Sequence, residues 1–230
     1  MIPIKKQSEP KKLTTYKSNK KNATPSYKNM PHDVHVAVLQ SLIQEQGGIC
    51  AYCMCRIPQK TKKHTLPATI EHIDPQSDTD AAKALDYKNM LAVCSGNRNP
   101  NKKKEYELGE DRLTCDAHRH NAVLTVNPLK ASTLSTIEYK RDGTIYSKNK
   151  KVNTDLNDTL NLNCKTLQLP ESRKEVLDKL TNMISSQKKD IRLFIQRTLK
   201  HYLEDSPKPP YVGILIYWLK KKAVQLKIKT

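Results

Sequence analysis

Six cysteines stand in a chain that has little else from which to build a core, and four of them are spaced as metal ligands. Cys50-Ala51-Tyr52-Cys53 is a C-x2-C knuckle, which places two thiolates on one tight turn where both sulfurs reach one ion at about 2.3 Å. Two thiolates leave a tetrahedral site half filled. Cys94 and Cys115 are available for the remaining positions, and Cys55 is near enough in sequence to substitute in the knuckle. A redox reading of the same motif wants a thioredoxin-like βαβ context, which the surrounding pattern lacks. The apolar share is only 37%, with one Phe and one Trp, so a single large hydrophobic core is not expected and a metal-braced centre is.

Charge narrows the partner. The 230 residues carry 41 Lys+Arg against 23 Asp+Glu, a formal net charge of +18. Such an excess repels itself unless a polyanion neutralises it, and nucleic acid is the commonest polyanion. A generally basic solvated surface is the alternative. The longest apolar run, Tyr211 to Leu219, is far short of the ~20 residues that span a bilayer. The opening MIPIKKQSEPKK has no apolar stretch of the signal-peptide kind. The expectation is a cytoplasmic protein without a membrane partner, whose reduced cysteines serve as metal ligands before disulfides.

Three regions follow from the pattern. Residues 1–30 carry eight lysines against one acid, Glu9, and read as a disordered or partly ordered basic arm. Residues 31–130 open with a helix marked by Val34, Val38, Leu39, Leu42 and Ile43 and stopped by Gly47-Gly48, then hold most of the chemistry in short elements. In residues 131–230, Thr136–Lys140 and Thr144–Ser147 flank Arg141-Asp142-Gly143 as a hairpin. Ser172 and Glu175 form a capping-box pattern for a helix through Leu177, Leu180 and Ile184. A second helical stretch or continuation covers Ile191 to Leu203, and a last helix or strand starts at Tyr211. These amphipathic segments serve either as a docking surface or as the core of a helical subdomain.

The chemistry-bearing pieces come in order: Cys50/Cys53, Glu71-His72-x-x-Pro75, Asn89-Met90-Leu91 leading to Cys94, and Cys115-Asp116-x-x-Arg119. A carboxylate suits a hard divalent cation and a neutral imidazole takes a proton from water. On a strand, however, neighbours Glu71 and His72 point to opposite faces. The series resembles zinc-bearing HNH nucleases. More narrowly, Gly48 to Cys53, Leu113 to Asp116 and Asn127-Pro128-Leu129 resemble the PtuB-type HNH nucleases of Septu and retron anti-phage systems, over about residues 33–130. Two positions depart from the common pattern: 20 residues lie between Cys94 and Cys115, and Asp116 stands where His or Asn is usual.

The resemblance implies an α+β fold, a zinc-braced ββα-metal core with a mainly helical C-terminal addition. It implies structural Zn2+ on Cys50, Cys53, Cys94 and Cys115, and catalytic Mg2+ or Mn2+ on Glu71 and Asp116. His72 would be the general base and Asn89 the residue that orients the loop. His118 and His120 are rivals for the last ligand, phosphate contacts, or solvated surface histidines. Arg98, Lys102, Lys103 and Lys104 suit backbone phosphates, or belong to a solvated linker. Arg119 clamps phosphate or pairs with a carboxylate. The implied activity is phosphodiester hydrolysis in a nucleic acid substrate, DNA or structured RNA. The implied partners are a PtuA-like SMC/ABC-type ATPase and, in retron systems, a reverse transcriptase with its msDNA. The competing readings are a non-catalytic zinc-stabilised nucleic-acid-binding module and a thiol-redox protein.

Overall fold

The computed structural model describes residues 1–19, 25–58, 68–75, 81–98, 109–187 and 190–228. The chain is α+β, mainly helical with two small antiparallel sheets. Helix α1 (Lys11–Ser18) packs against α2 (His32–Glu45), whose Val34, Val38, Leu39 and Leu42 line one buried face at the expected spacing. Gly47 and Gly48 both take positive φ, and the Gly48 amide closes the helix on the Ile43 carbonyl (2.8 Å).

The N-terminal region is not a free basic arm over its described length. Met1, Ile4, Leu13 and Tyr16 are buried, and the Ile4 amide donates to the Pro128 carbonyl (2.8 Å). Lys6 reaches Glu45 (2.5 Å) and the Met90 carbonyl (3.0 Å), with its ammonium 3.7 Å from the Tyr87 ring centroid. A few widely separated apolar anchors hold this segment, a pattern that a lysine-dominated composition hides.

Strands β1 (Thr69–His72) and β2 (Met90–Val93) pair antiparallel, with Glu71 opposite Leu91 and His72 opposite Met90. Alternation along this pair separates two cores. Ile70, Met90 and Ala92 join Leu13, Tyr16 and the buried face of α2, whereas Leu91 and Val93 join the knuckle and the C-terminal helices. Short helices α3 (Ala81–Ala84), α4 (Asp116–Arg119) and α5 (Ala131–Leu134) lead to the second sheet. There β3 (Ile137–Tyr139) and β4 (Ile145–Ser147) form the expected hairpin. Helix α6 (Lys150–Thr154) runs on into a π-helical turn, Asp155–Thr159.

Three longer helices finish the chain: α7 (Leu169–Ser185), α8 (Ile191–Glu204) and α9 (Val212–Gln225). The Ser172/Glu175 capping box is not used. Helix α7 starts earlier, behind Gln168 in the left-handed region and with Pro170 in its first turn, where the missing N–H costs nothing. Glu175 pairs instead with Lys179 (2.6 Å). Asp190 starts α8 as a separate helix by accepting from the Arg192 and Leu193 amides (2.9 and 3.2 Å).

Of the two fates open to the C-terminal stripes, α9 takes the core one. Its Val212, Ile214, Leu215, Ile216, Leu219 and Ala223 are buried. The Tyr211 amide donates to the Met54 carbonyl (2.8 Å) and the Lys208 amide to the Gly47 carbonyl (2.9 Å). Residues 131–230 therefore complete the core behind the knuckle rather than standing apart. Among the described residues, no helix is long and apolar enough to cross a membrane.

Candidate metal centre and active site

The four cysteines converge. Sγ of Cys50, Cys53, Cys94 and Cys115 lie within 4.8 Å of one another. Cys50–Cys115 is 3.8 Å, Cys53–Cys94 3.7 Å and Cys94–Cys115 3.7 Å. Sulfurs 2.3 Å from a tetrahedral zinc are separated by about 3.8 Å, so the donor set fits zinc in both chemistry and spacing. Cys55, half-buried beside the knuckle, is outside this group of four.

Local structure brings the ligands together. The Cys50 amide donates to the Cys55 carbonyl (3.0 Å) and the Met54 amide to the Cys50 carbonyl (3.1 Å), closing the knuckle. Buried Gln46 ties it to β2, its amide nitrogen donating to the Ile49 and Ala92 carbonyls (2.9 and 2.8 Å) and its oxygen accepting from the Ala92 amide (2.8 Å). Cys94 follows β2 directly, and Cys115 begins α4 with φ +56°. Gly96, at φ +59°, lets the two approach: a Cβ there would fall 2.1 Å from the Thr114 carbonyl oxygen. The Cys94 thiol, with its Cys115 contact the largest cause, is lowered to about 6, whereas burial first and Cys50 next push Cys115 up. Crowded sulfurs trade protons in this way, and a metal would displace the protons that remain.

Beside the cysteines lies a buried polar cluster built on β1. Glu71 is 6% exposed and accepts from the Tyr52 hydroxyl (3.0 Å) and from the Arg119 guanidinium. Arg119 has a side chain only 1% exposed. It also donates to Tyr52 Oη (3.1 Å) and to the carbonyls of His72 (2.8 Å), Ile73 (2.7 Å) and Ala122 (2.7 Å). Of its two expected roles, the structure gives it the carboxylate pair. Burial, then the nearby Asp116 carboxylate, pushes the Glu71 acid up to about 8, with Arg119 acting in the other direction. Asp116 opens α4, half-buried, and accepts from Arg98 (2.8 Å). Arg98, expected on phosphate, here sits on that carboxylate. Two carboxylates crowded in this way are a natural cation site, because a divalent ion relieves their repulsion.

His72 leaves β1 on the other face, as strand alternation requires, and still lies within electrostatic reach of Asp116. Its ring is 4% exposed, and Nε2 donates to the Ala84 carbonyl (2.9 Å). The carbonyl can only accept, so Nε2 carries the proton and Nδ1 the lone pair. Burial lowers the imidazole below its ordinary range, with Ala84 and then Asp116 opposing it. Asn89 clamps the loop that follows: Oδ1 accepts from the Asp74 amide (2.9 Å), and Nδ2 donates to the carbonyls of Asp74 (3.2 Å) and Lys83 (3.4 Å).

Sequence reasoning missed Tyr27. Its ring meets His72 edge-on, centroids 4.6 Å apart, and its hydroxyl contacts His35 Nε2 (3.3 Å). Burial first, then Asp116 and Glu71, raise the phenol to about 12. No local pattern marks a lone tyrosine in a lysine-rich stretch. Tyr52 was visible within the knuckle but carried no assigned role. His118 bonds the Thr159 carbonyl (3.0 Å), and His120 is exposed; among the described residues neither joins a group of three potential ligands. Lys102, Lys103 and Lys104 lie outside the described residues. No protein-family model and no curated protein matches the chain.

Proposed function

We propose that this chain is a metal-dependent HNH-type endonuclease with a ββα-metal core, acting on nucleic acid. What supports the reading is the crowding of Glu71 and Asp116, with His72 on the other face of β1 within electrostatic reach of Asp116, beside four sulfurs spaced for zinc. Zinc would staple β2, the knuckle and α4. Glu71 and Asp116 would hold Mg2+ or Mn2+, whose chemistry is to neutralise charge on the scissile phosphate. The donor set fits, since both groups are carboxylates crowded closely enough for Asp116 to raise Glu71.

The chain's own residues supply the rest. His72, neutral because it is buried and oriented by Ala84, takes the proton of the attacking water on Nδ1. Asn89 fixes the loop that carries the base, and Arg119 fixes Glu71. Arg98, which now pairs with Asp116, would have to give up that carboxylate for a cation to be held there. The net charge of +18 supplies long-range attraction for a polyanion. The resemblance to PtuB-type nucleases supports a role as effector of an anti-phage system with a PtuA-like ATPase, and with a retron reverse transcriptase and its msDNA where one is present.

One observation favours a second reading, a zinc-braced binding module without catalysis: His72 is 4% exposed beneath Tyr27. Under the nuclease reading, the segment bearing Tyr27 has to lift before a polymer reaches the base. The deciding experiment incubates the protein, alone and with its ATPase, with labelled DNA and RNA pools and Mg2+ or Mn2+. Cleavage by wild type that falls about 100- to 10,000-fold in His72→Ala supports the nuclease. Retained binding with no cleavage under any condition supports the module.

A further inference from the structure

A cavity of about 150 Å³ lies between α7, α9 and the β3–β4 turn. Leu177 and Leu180 of α7 form an apolar wall, Trp218 of α9 faces it, and Arg141, Lys221 and Lys222 surround it. No acidic side chain lines it among the described residues. The Arg141 guanidinium carbon is 4.9 Å from the Trp218 ring centroid and Lys221 Nζ is 5.0 Å, so two cations crowd one indole. The indole Nε1 is buried and has no hydrogen-bond partner.

Each feature calls for the same ligand chemistry. Cations gathered without a counter-charge want an anion. An apolar wall beside an indole wants a flat hydrophobic body. A pocket of about 150 Å³ is below the roughly 300–1,000 Å³ of a whole small-molecule site, so it takes one unit of a chain whose remainder stays outside. We propose that this cavity is a second nucleic-acid contact that takes one nucleotide of a single strand. The base enters against Trp218 and Leu177, and its phosphate lies among Arg141, Lys221 and Lys222. This contact is independent of catalysis and would serve either reading of the chain.

Trp218 is the only tryptophan, so its fluorescence reports on the cavity directly. The full-length protein is titrated with an oligothymidylate, with inorganic phosphate and with polyglutamate. The proposal expects a saturable change in fluorescence with the oligothymidylate, and none with polyglutamate at equal charge. Arg141→Ala/Lys221→Ala should weaken oligothymidylate binding about tenfold, from the loss of two backbone contacts, and reduce the salt slope by about 1.4. The exposed control pair Lys165→Ala/Lys200→Ala should leave the fluorescence change in place. Trp218→Phe, checked for unchanged melting, should weaken binding within the roughly 5- to 150-fold range of one base–aromatic contact. Three results overturn it: an unchanged fluorescence signal, an equal response to polyglutamate, or equal losses in the cavity and control pairs. A response to inorganic phosphate equal to that of the oligothymidylate overturns the base contact.

Discussion

Changing Arg119 to Met keeps an aliphatic stem in the same space and deletes a guanidinium that donates to Glu71, Tyr52 and three carbonyls. Breaking a buried pair from one side costs about 3–5 kcal/mol, because the remaining charge is left uncompensated. For a chain of this size each kcal/mol moves Tm by about 2–4 °C, so the expected fall is about 6–20 °C. Glu71 has an escape, since its acid is already raised to about 8. A carboxyl raised in the folded state favours the protonated form, so its contribution is fully present below the unfolded value and is lost as pH rises through the folded value. In Arg119→Met the folded value rises further. The loss should therefore sit near the low end at about pH 6 and grow towards pH 9, measured by circular-dichroism melting in zinc-containing buffer. Adding Glu71→Gln should recover part of the loss at high pH, a coupling that a double-mutant cycle reads directly. The reasoning fails if Arg119→Met costs under about 1 kcal/mol, as an exposed pair would. A pH-independent loss or additive substitutions would refute it as well.

Cys94→Ser should lose zinc and Cys55→Ser should keep it, read as metal per chain by mass spectrometry; the reverse result would place Cys55 in the ligand set. Mn2+ affinity should rise as pH increases through about 8, because Glu71 must shed its proton to bind. Spin-resonance titration checks this, and a flat profile would remove Glu71 from the site. Tyr27→Ala should expose His72 and speed its modification by an imidazole-acylating reagent, followed by peptide mass spectrometry. An unchanged rate would mean that other residues cover the ring.

What could be read in advance was what repeats or what chemistry makes rare. Helix α2 and the β3–β4 hairpin follow from apolar period and turn residues, and both form where expected. The cysteine quartet was legible because few arrangements other than metal explain that spacing, even with 20 residues lying between Cys94 and Cys115. Direction was not legible. Arg98 and Arg119 are indistinguishable from phosphate-binding arginines in sequence, yet one sits on Asp116 and the other is sealed against Glu71. The start of α7 was misread because tertiary packing decided it, with Gln168 forced into the left-handed region and no side-chain cap made. Tyr27 and the buried anchors Met1 and Ile4 were hidden by the lysines around them.

The electrostatics of the chain point one way. With +18 spread over its surface, this protein nevertheless places Glu71 and Asp116 together near the zinc-type centre and gives them two arginines of opposite character. Arg119 is fixed by four partners besides the carboxylate's own pull and cannot leave without unsatisfied carbonyls. Arg98 is about one-third exposed and holds Asp116 through contacts that solvent can replace. In the proposed cation site, Arg119 would keep Glu71 in place and Arg98 would have to give up Asp116 before that carboxylate could bind.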